Sequence, residues 1–315
     1  MSIKKVSIAN FNTVFLLNEE ERPLLEYFDT ILMPSLNSGI VRKINGDEYF
    51  FINVQVLEDE VLNYVLTGLI IKKTTLEIKS NIDENGDLIK LDNKYPAAPF
   101  SIFAINLKNH RMIYVENQKG SPRLNTFRST VKYVIDKYVR DYNNSLDNDS
   151  IKLPIPLVNV IGIPPRKNIE RELKDVVKIK KLTLRFYPLN GDGDIEYTGV
   201  YNNLITDFRK MIDSKTGETS YNSPKNKAGV IELVSNVNGT VDPILYVEYE
   251  NKTKRRIRSD QMSENIEINI SDLSIDNEIS DILTEGKKTE SFTHTSEENA
   301  NIYERNIGKI IPFRR

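Results

Sequence analysis

The chain has no cysteine and only two histidines in 315 residues. Without cysteine there is no disulfide, no thiolate nucleophile and no cysteine-ligated zinc. Two isolated histidines, His110 and His294, cannot form the HExxH pair of a zinc hydrolase. Walker A, GxSxG and dinucleotide-binding patterns are also missing. No apolar run approaches the ~18 residues that span a bilayer. The segment after Met1–Lys5 is broken by Ser7, Asn10 and Asn12, unlike a signal peptide, so a cytoplasmic location is expected. Neither sign of charge dominates, with 43 basic and 45 acidic residues and a formal net charge of −2. Any nucleic-acid binding must therefore come from local clustering of charge. What is present, 39% hydrophobic and 28% charged residues, suits a folded chain with a real core.

The patterning predicts an α+β fold: a mainly antiparallel sheet domain covered by helices, followed by a second mixed region. The expected divisions are 1–150, 151–260 and a polar C-terminal extension at 261–315, with the first boundary in the turn-rich run at 141–150. Alternation predicts strands at 3–17, 40–57 (two, around Asn45-Gly46-Asp47), 69–79 and 87–91, the last two joined at Asn85-Gly86. Short helices are expected from Glu19, capped by Asn18 and ended by Pro34, and at 58–68. The central unit runs from Tyr95 to Tyr138: strand Phe100–Leu107, turn Lys108–Arg111, strand Met112–Val115, then Gly120-Ser121-Pro122 opening a helix to Arg140 that Ser121 could cap. Beyond it, helices are expected at 164–178 and 200–213, and strands at 153–161, 180–189, 228–237 and 243–250. In the tail, Ile266, Ile268 and Ile270 could add a strand, 283–295 reads as mobile, and Ile310-Ile311-Pro312-Phe313 reads as an anchor or docking element.

Candidate chemistry is sparse. Lys108, His110 and Arg111 share one tight turn, which reads either as a solvated hairpin tip or as a phosphate contact. Asp242 with Glu250-Asn251-Lys252 follows the carboxylate–ExK layout of Mg²⁺-dependent nucleases, yet the same residues fit the outward face of a strand. Gly191-Asp192-Gly193-Asp194 resembles part of a Ca²⁺ loop but lacks its distal glutamate, so a hairpin turn is expected. No metal site, no cofactor and no catalytic residue is expected, apart from that Mg²⁺ alternative. Three basic clusters remain. One is Lys119, Arg123, Arg128 and Lys132 at the start of the central helix, whose free N–H groups would add to phosphate attraction. The second runs from Arg166, Lys167, Arg171 and Lys174 to Lys178, Lys180, Lys181 and Arg185. The third is Lys252, Lys254, Arg255, Arg256 and Arg258, with no acid among them. Solvated faces matched by nearby acids are the ordinary reading; together the clusters read as contacts to a nucleic-acid backbone.

The Pro-aromatic strand, turn, strand, Gly120-Ser121-Pro122 and helix, followed by the charged helix and strand from Arg166 to Arg185, resemble in order the Rex-type phage exclusion proteins. The likeness covers about residues 40–260 in layout. It implies an anti-phage defence protein of the cytoplasm that binds double-stranded DNA without sequence preference. It further implies a homo-oligomer, most simply a dimer, that signals to a membrane-protein partner encoded beside it. The Kiwa defence pair is a similar arrangement. The resemblance supplies no motif residues, so the candidate contacts are those of the clusters. The alternatives are a Mg²⁺-dependent nuclease and a non-catalytic interaction subunit that docks through residues 310–313.

Overall fold

A computed structural model describes residues 2–18, 20–147, 150–191, 209, 211–270 and 274–315. The fold is α+β, and its strand pairs within the two main sheets are antiparallel. In chain order come β1 (Ser2–Leu17), β2 (Glu20–Pro23), a run of helical turns from Leu24 that ends in α1 (Met33–Leu36), β3 (Arg42–Ile44) and β4 (Asp47–Asp59). Next are β5 (Asn63–Ile82), β6 (Leu88–Ala97), β7 (Phe100–Asn106), β8 (Arg111–Glu116), α2 (Leu124–Asn144) and β9 (Ile155–Gly162). The second sheet and its helices follow: α3 (Arg166–Leu173), β10 (Val176–Phe186), β11 (Gly217–Asn222), α4 (Lys227–Asn236), β12 (Val241–Tyr249) and β13 (Lys254–Arg258). The chain closes with α5 (Ser259–Met262), β14 (Glu264–Ile270), α6 (Ile275–Gly286), α7 (Glu290–Thr293) and α8 (Glu297–Ile310).

The large sheet has the order β14-β1-β8-β7-β5-β4-β3, with β9 and β2 on the far half of β1 and β6 on the far half of β5. Its central strands are buried on both faces, which explains why β7 and β8 read as unbroken apolar runs. Side chains alternate between two cores with period two. Phe11 and Phe15 of β1, Phe103 and Ile105 of β7, and Met112 and Tyr114 of β8 meet α2, the turns after Leu24, and α8. Val6, Ile102, Ala104, Ile113 and Val115 meet α6 and α7 through Ile279, Ile282, Leu283 and Phe292. Phe127 of α2 sits at the centre of the first core, with ring contacts to Phe11, Phe51, Phe103 and Tyr114. The second sheet, β11-β10-β12-β13, buries Leu182, Leu184, Leu245, Val247 and Ile257 under α3 and α4.

Several expectations at element level change. Residues 58–68 form no helix. Asp59 Oδ1 accepts from the N–H groups of Val61 and Leu62, 2.9 Å each, and Asn63 takes φ +65°, so β4 turns directly into β5. Residues 228–237 are helical, not extended. Asn226 caps α4 by accepting from Gly229 N at 3.0 Å, and Val230, Ile231, Val234 and Val237 then fall on its buried side. Glu20–Pro23 is a strand on β1, and the helical turns run past Pro34, which lies in the first turn of α1, to Leu36. Ser121 does not cap α2. Its hydroxyl accepts from Gln118 N at 3.0 Å, and Arg123 is the N-cap with no side-chain bond.

The C-terminal region is ordered structure. β14 pairs with β1, as the isoleucine alternation suggested, and residues 283–295 are largely helical, with Phe292 fully buried. Ile310 is fully buried too, Phe313 packs edge-on to Phe28, and Arg315 N donates to Val56 O at 3.0 Å. Within the 310–313 cluster, Ile310 and Phe313 anchor the end of the chain to the body, while Ile311 and Pro312 are exposed. β9, from the expected second region, also pairs along β1, so the large sheet draws strands from all three expected segments. The expected helix at 200–213 and Asp192-Gly193-Asp194 fall largely outside the described residues.

Candidate nucleic-acid interface

A turn that needs glycine begins the site. Gly120 has φ +90°, a conformation costly for any residue with a Cβ, and Ser121 N donates back to Gln118 O at 3.1 Å. This turn carries the chain from β8 into α2 and presents Lys119 and Arg123 to solvent. Both are exposed, and neither forms an ion pair among the described residues. The first turn of α2, Leu124–Thr126, has no side-chain cap, so it keeps free N–H groups at the positive end of a 21-residue helix.

That turn opens on a cleft of about 780 Å³ between the two sheets. Lys5 comes from β1 and Gln118 from the turn, while Glu172 of α3, Arg255 of β13 and Gln261 of α5 form the opposite side. Five basic side chains line the cleft against three acidic ones. Arg255 Nη1 lies 3.4 Å from Glu172 Oε2, a half-exposed pair of small net stabilisation. At the cleft wall, Lys4 is held against Glu278 at 3.0 Å and also contacts Asn117. The arrangement offers a concave, positively charged edge with backbone donors, suited to phosphate oxygens.

The cleft continues, through Leu124, Asn125 and Asp260, into a small polar site that holds Arg128, Asp242, Arg258 and Ser259. Asp242 is buried there. It lies 3.3 Å from Arg128 Nη1 and accepts from Ser259 Oγ at 2.7 Å, while Arg128 Nη2 also donates to the Tyr187 hydroxyl at 3.2 Å. Burial lowers the Arg128 pKa, but Asp242 and Tyr187 outweigh it and hold the guanidinium above its ordinary value. Burial, and then the Asp242 charge, raise the Asp260 carboxyl, while Arg258 and Arg128 oppose them. Arg128 thus fastens α2 to the second sheet.

Apart from Arg128, held by Asp242, and Lys252, in the turn after β12, the predicted contacts sort into four groups. Lys119, Arg123 and Arg255, from the first and third clusters, share the cleft. Strand alternation divides the third cluster: Arg255 lies on the side of the second sheet that faces α3, and Lys254, Arg256 and Arg258 lie on the opposite side. There the Arg256 guanidinium lies 5.4 Å from the Tyr246 ring centre, and Lys181 and Arg185 stand in register with Tyr246 and Asp242. Arg166, Lys167 and Arg171 are exposed on α3 outside the cleft lining, and Arg166 bonds Glu170 at 3.1 Å. The fourth group is a correction. His110 and Arg111 are 1% and 3% exposed and Lys108 is half-buried, so this turn is neither a solvated tip nor a phosphate contact. Arg111 Nη1 donates to Asn238 O at 2.7 Å, and Asn109 Nδ2 donates to Phe292 O and His294 O, both at 2.8 Å.

The nuclease layout is not assembled. Asp242 opens β12, whereas Glu250 and Lys252 lie in the turn after it, where Lys252 takes φ +60°. Eight residues of strand separate the two carboxylates by about 26 Å, too far to share one ion. Among the described residues no group of three His, Asp or Glu side chains is placed to hold a metal ion.

Sequence reasoning passed over Lys5 and Gln261, because their chain neighbours say nothing of the cleft. The adjacent Lys4-Lys5 pair was the one available signal. It also passed over Asn10 and Asn12. These are buried on β1 and donate to Gly239 O (3.2 Å) and Pro188 O (2.7 Å), tying β1 to the loops that flank the second sheet. Among the described residues no helix is long and apolar enough to cross a membrane. No protein-family model matches the chain, and no curated protein matches it in sequence.

Proposed function

We propose that this chain is a non-catalytic nucleic-acid-binding protein that holds the phosphate backbone of duplex DNA in the cleft at the start of α2. One observation carries the reading: Lys119, Arg123, Arg255 and the uncapped first turn of α2 converge on one concave surface. Donors of this kind recognise phosphate and not base edges, so the binding is independent of sequence. On the other side of the second sheet Lys181, Lys254, Arg256 and Arg258 add further basic side chains, while Arg185 is paired with Glu218 at 3.2 Å.

Fluorescence anisotropy with several unrelated duplexes tests this. Affinity should fall linearly on a log–log plot against salt, and Lys119→Glu with Arg123→Glu should lower it on every duplex alike. Loss of two phosphate contacts should reduce the salt slope by about 2. Unchanged affinity in that double variant, or strong preference for one sequence, overturns the reading. The anti-phage role and the membrane partner rest on the resemblance in layout to Rex-type proteins and are proposed on that ground alone.

A further inference from the structure

One acid on the floor of the cleft has no counter-charge. Glu172, on the cleft wall, is paired with Arg255. Asp260, the second residue of α5, forms no ion pair and has no side-chain partner among the described residues. It is half-buried, and with Leu124 and Asn125 it borders both the cleft and the small polar site behind it. In that site Arg128 and the Ser259 hydroxyl both go to Asp242. Asp260 is left facing the Asp242 carboxylate and the first turn of α2. The elements packed on α5 complete its surroundings: Asp242 comes from β12, Arg255 and Arg258 from β13, and Glu172 from α3. β9 brings no titratable side chain, and β14 carries Glu264 and Glu267. Arg128 of α2 and Lys5 of β1 are the cations nearest in the two cavity walls opposite.

An ionised Asp260 would repel a phosphate and compete with it for the free N–H groups of Leu124–Thr126. The neutral acid removes the repulsion and adds an O–H donor for a phosphate oxygen. We propose that Asp260 contacts the bound DNA backbone as the neutral acid, so that filling the cleft takes up about one proton from solvent. This rests on the cleft being the phosphate site. The proton goes to a carboxylate oxygen, and no bond of the DNA changes. Burial and the Asp242 charge already raise the Asp260 carboxyl above its ordinary value in the free protein, and a phosphate beside it raises it further. Affinity therefore climbs as pH falls through the interval between the free and the bound values, by at most about tenfold per pH unit. Few other groups of the chain titrate nearby. Of the two histidines, His110 is lowered to about 3 by burial and the Arg111 charge, and His294 follows α7, outside the cleft lining.

Anisotropy with one duplex at fixed salt, at pH 7.5 and pH 5.5, tests the coupling. The wild type should bind about tenfold more tightly at the lower pH. Asp260→Asn should bind about tenfold more tightly than the wild type at pH 7.5 and lose most of the pH dependence. Asp136→Asn removes another carboxyl that burial raises, farther along α2 and outside the cleft lining, and should keep the wild-type dependence. Titration calorimetry of the wild type in two buffers of different ionisation enthalpy should show proton uptake, a readout that needs no variant. The thermal midpoint at pH 7.5 should rise in Asp260→Asn, because an unpaired charge is removed; a residue with only a structural role would lower it. Equal wild-type affinity at the two pH values, absence of proton uptake, or a pH dependence intact in Asp260→Asn each overturns the inference and leaves duplex binding standing. No duplex binding at either pH brings down both.

Discussion

At the scale of single residues, burial decides what each polar group can do. His110 lies in the left-handed region, φ +59°, in a turn walled by Arg111 and the Asn299 amide. Burial, reinforced by the Arg111 charge, lowers its pKa to about 3. The unfolded chain then binds a proton that the folded chain refuses, so this contribution is intact above the unfolded value near 6.5 and is lost as pH falls toward 3. Between pH 7 and 5 it should cost about 2 kcal/mol. His110→Asn keeps the backbone conformation, and urea midpoints at the two pH values should show that part of the acid slope gone. Gly191 makes a related point. It belongs to the GDGD run that reads as a turn, but at φ +79° a Cβ there would collide with Asn299. Gly191→Ala should destabilise by about 2–4 kcal/mol, read as a fall in the thermal midpoint. The sequence shows the glycine and the histidine; that Asn299, more than a hundred positions from Gly191, packs beside both is a tertiary fact.

At the scale of elements, the β-hairpins were legible where Asn-Gly turns and strict alternation coincide, as at Asn45-Gly46 and Asn85-Gly86. The two elements of the wrong type were short apolar stretches, where period two and period 3.6 are hard to separate. In 228–237 the β-branched residues favour a strand, but the Asn226 cap and burial of Val230, Ile231 and Val234 under one sheet face favour a helix. Asn226→Ala should cost α4 about 1 kcal/mol, seen as a lower urea midpoint with unchanged slope. In 58–68 a single Asp59 side chain, bonded to two N–H groups, replaces a helical turn. The site itself was half legible: Lys119, Arg123 and Arg255 stood out as charge, but which face of β13 each arginine takes depends on the register with β12.

At the scale of the whole molecule, β1 organises the fold by pairing with β14 and β8 along one half and β9 and β2 along the other. α6 and α7 cover the second face of that sheet, and α8 packs against the first. Deleting residues 275–315 should therefore leave Ile102, Ile113 and Val115 uncovered and yield an insoluble or unfolded product, whereas a detachable polar tail would leave the far-UV spectrum and thermal midpoint unchanged. By itself the sequence determined the α+β class, most strands, the central strand–turn–strand–helix unit and the absence of cysteine chemistry, because alternation, turn residues and composition are local properties. Only the tertiary structure decided that Lys119 and Arg255 share a cleft, that His110 is buried and that the C-terminal helices close the core. Each of these depends on which distant segments pack together, and packing is fixed by the summed burial of the chain and not by any one stretch of it.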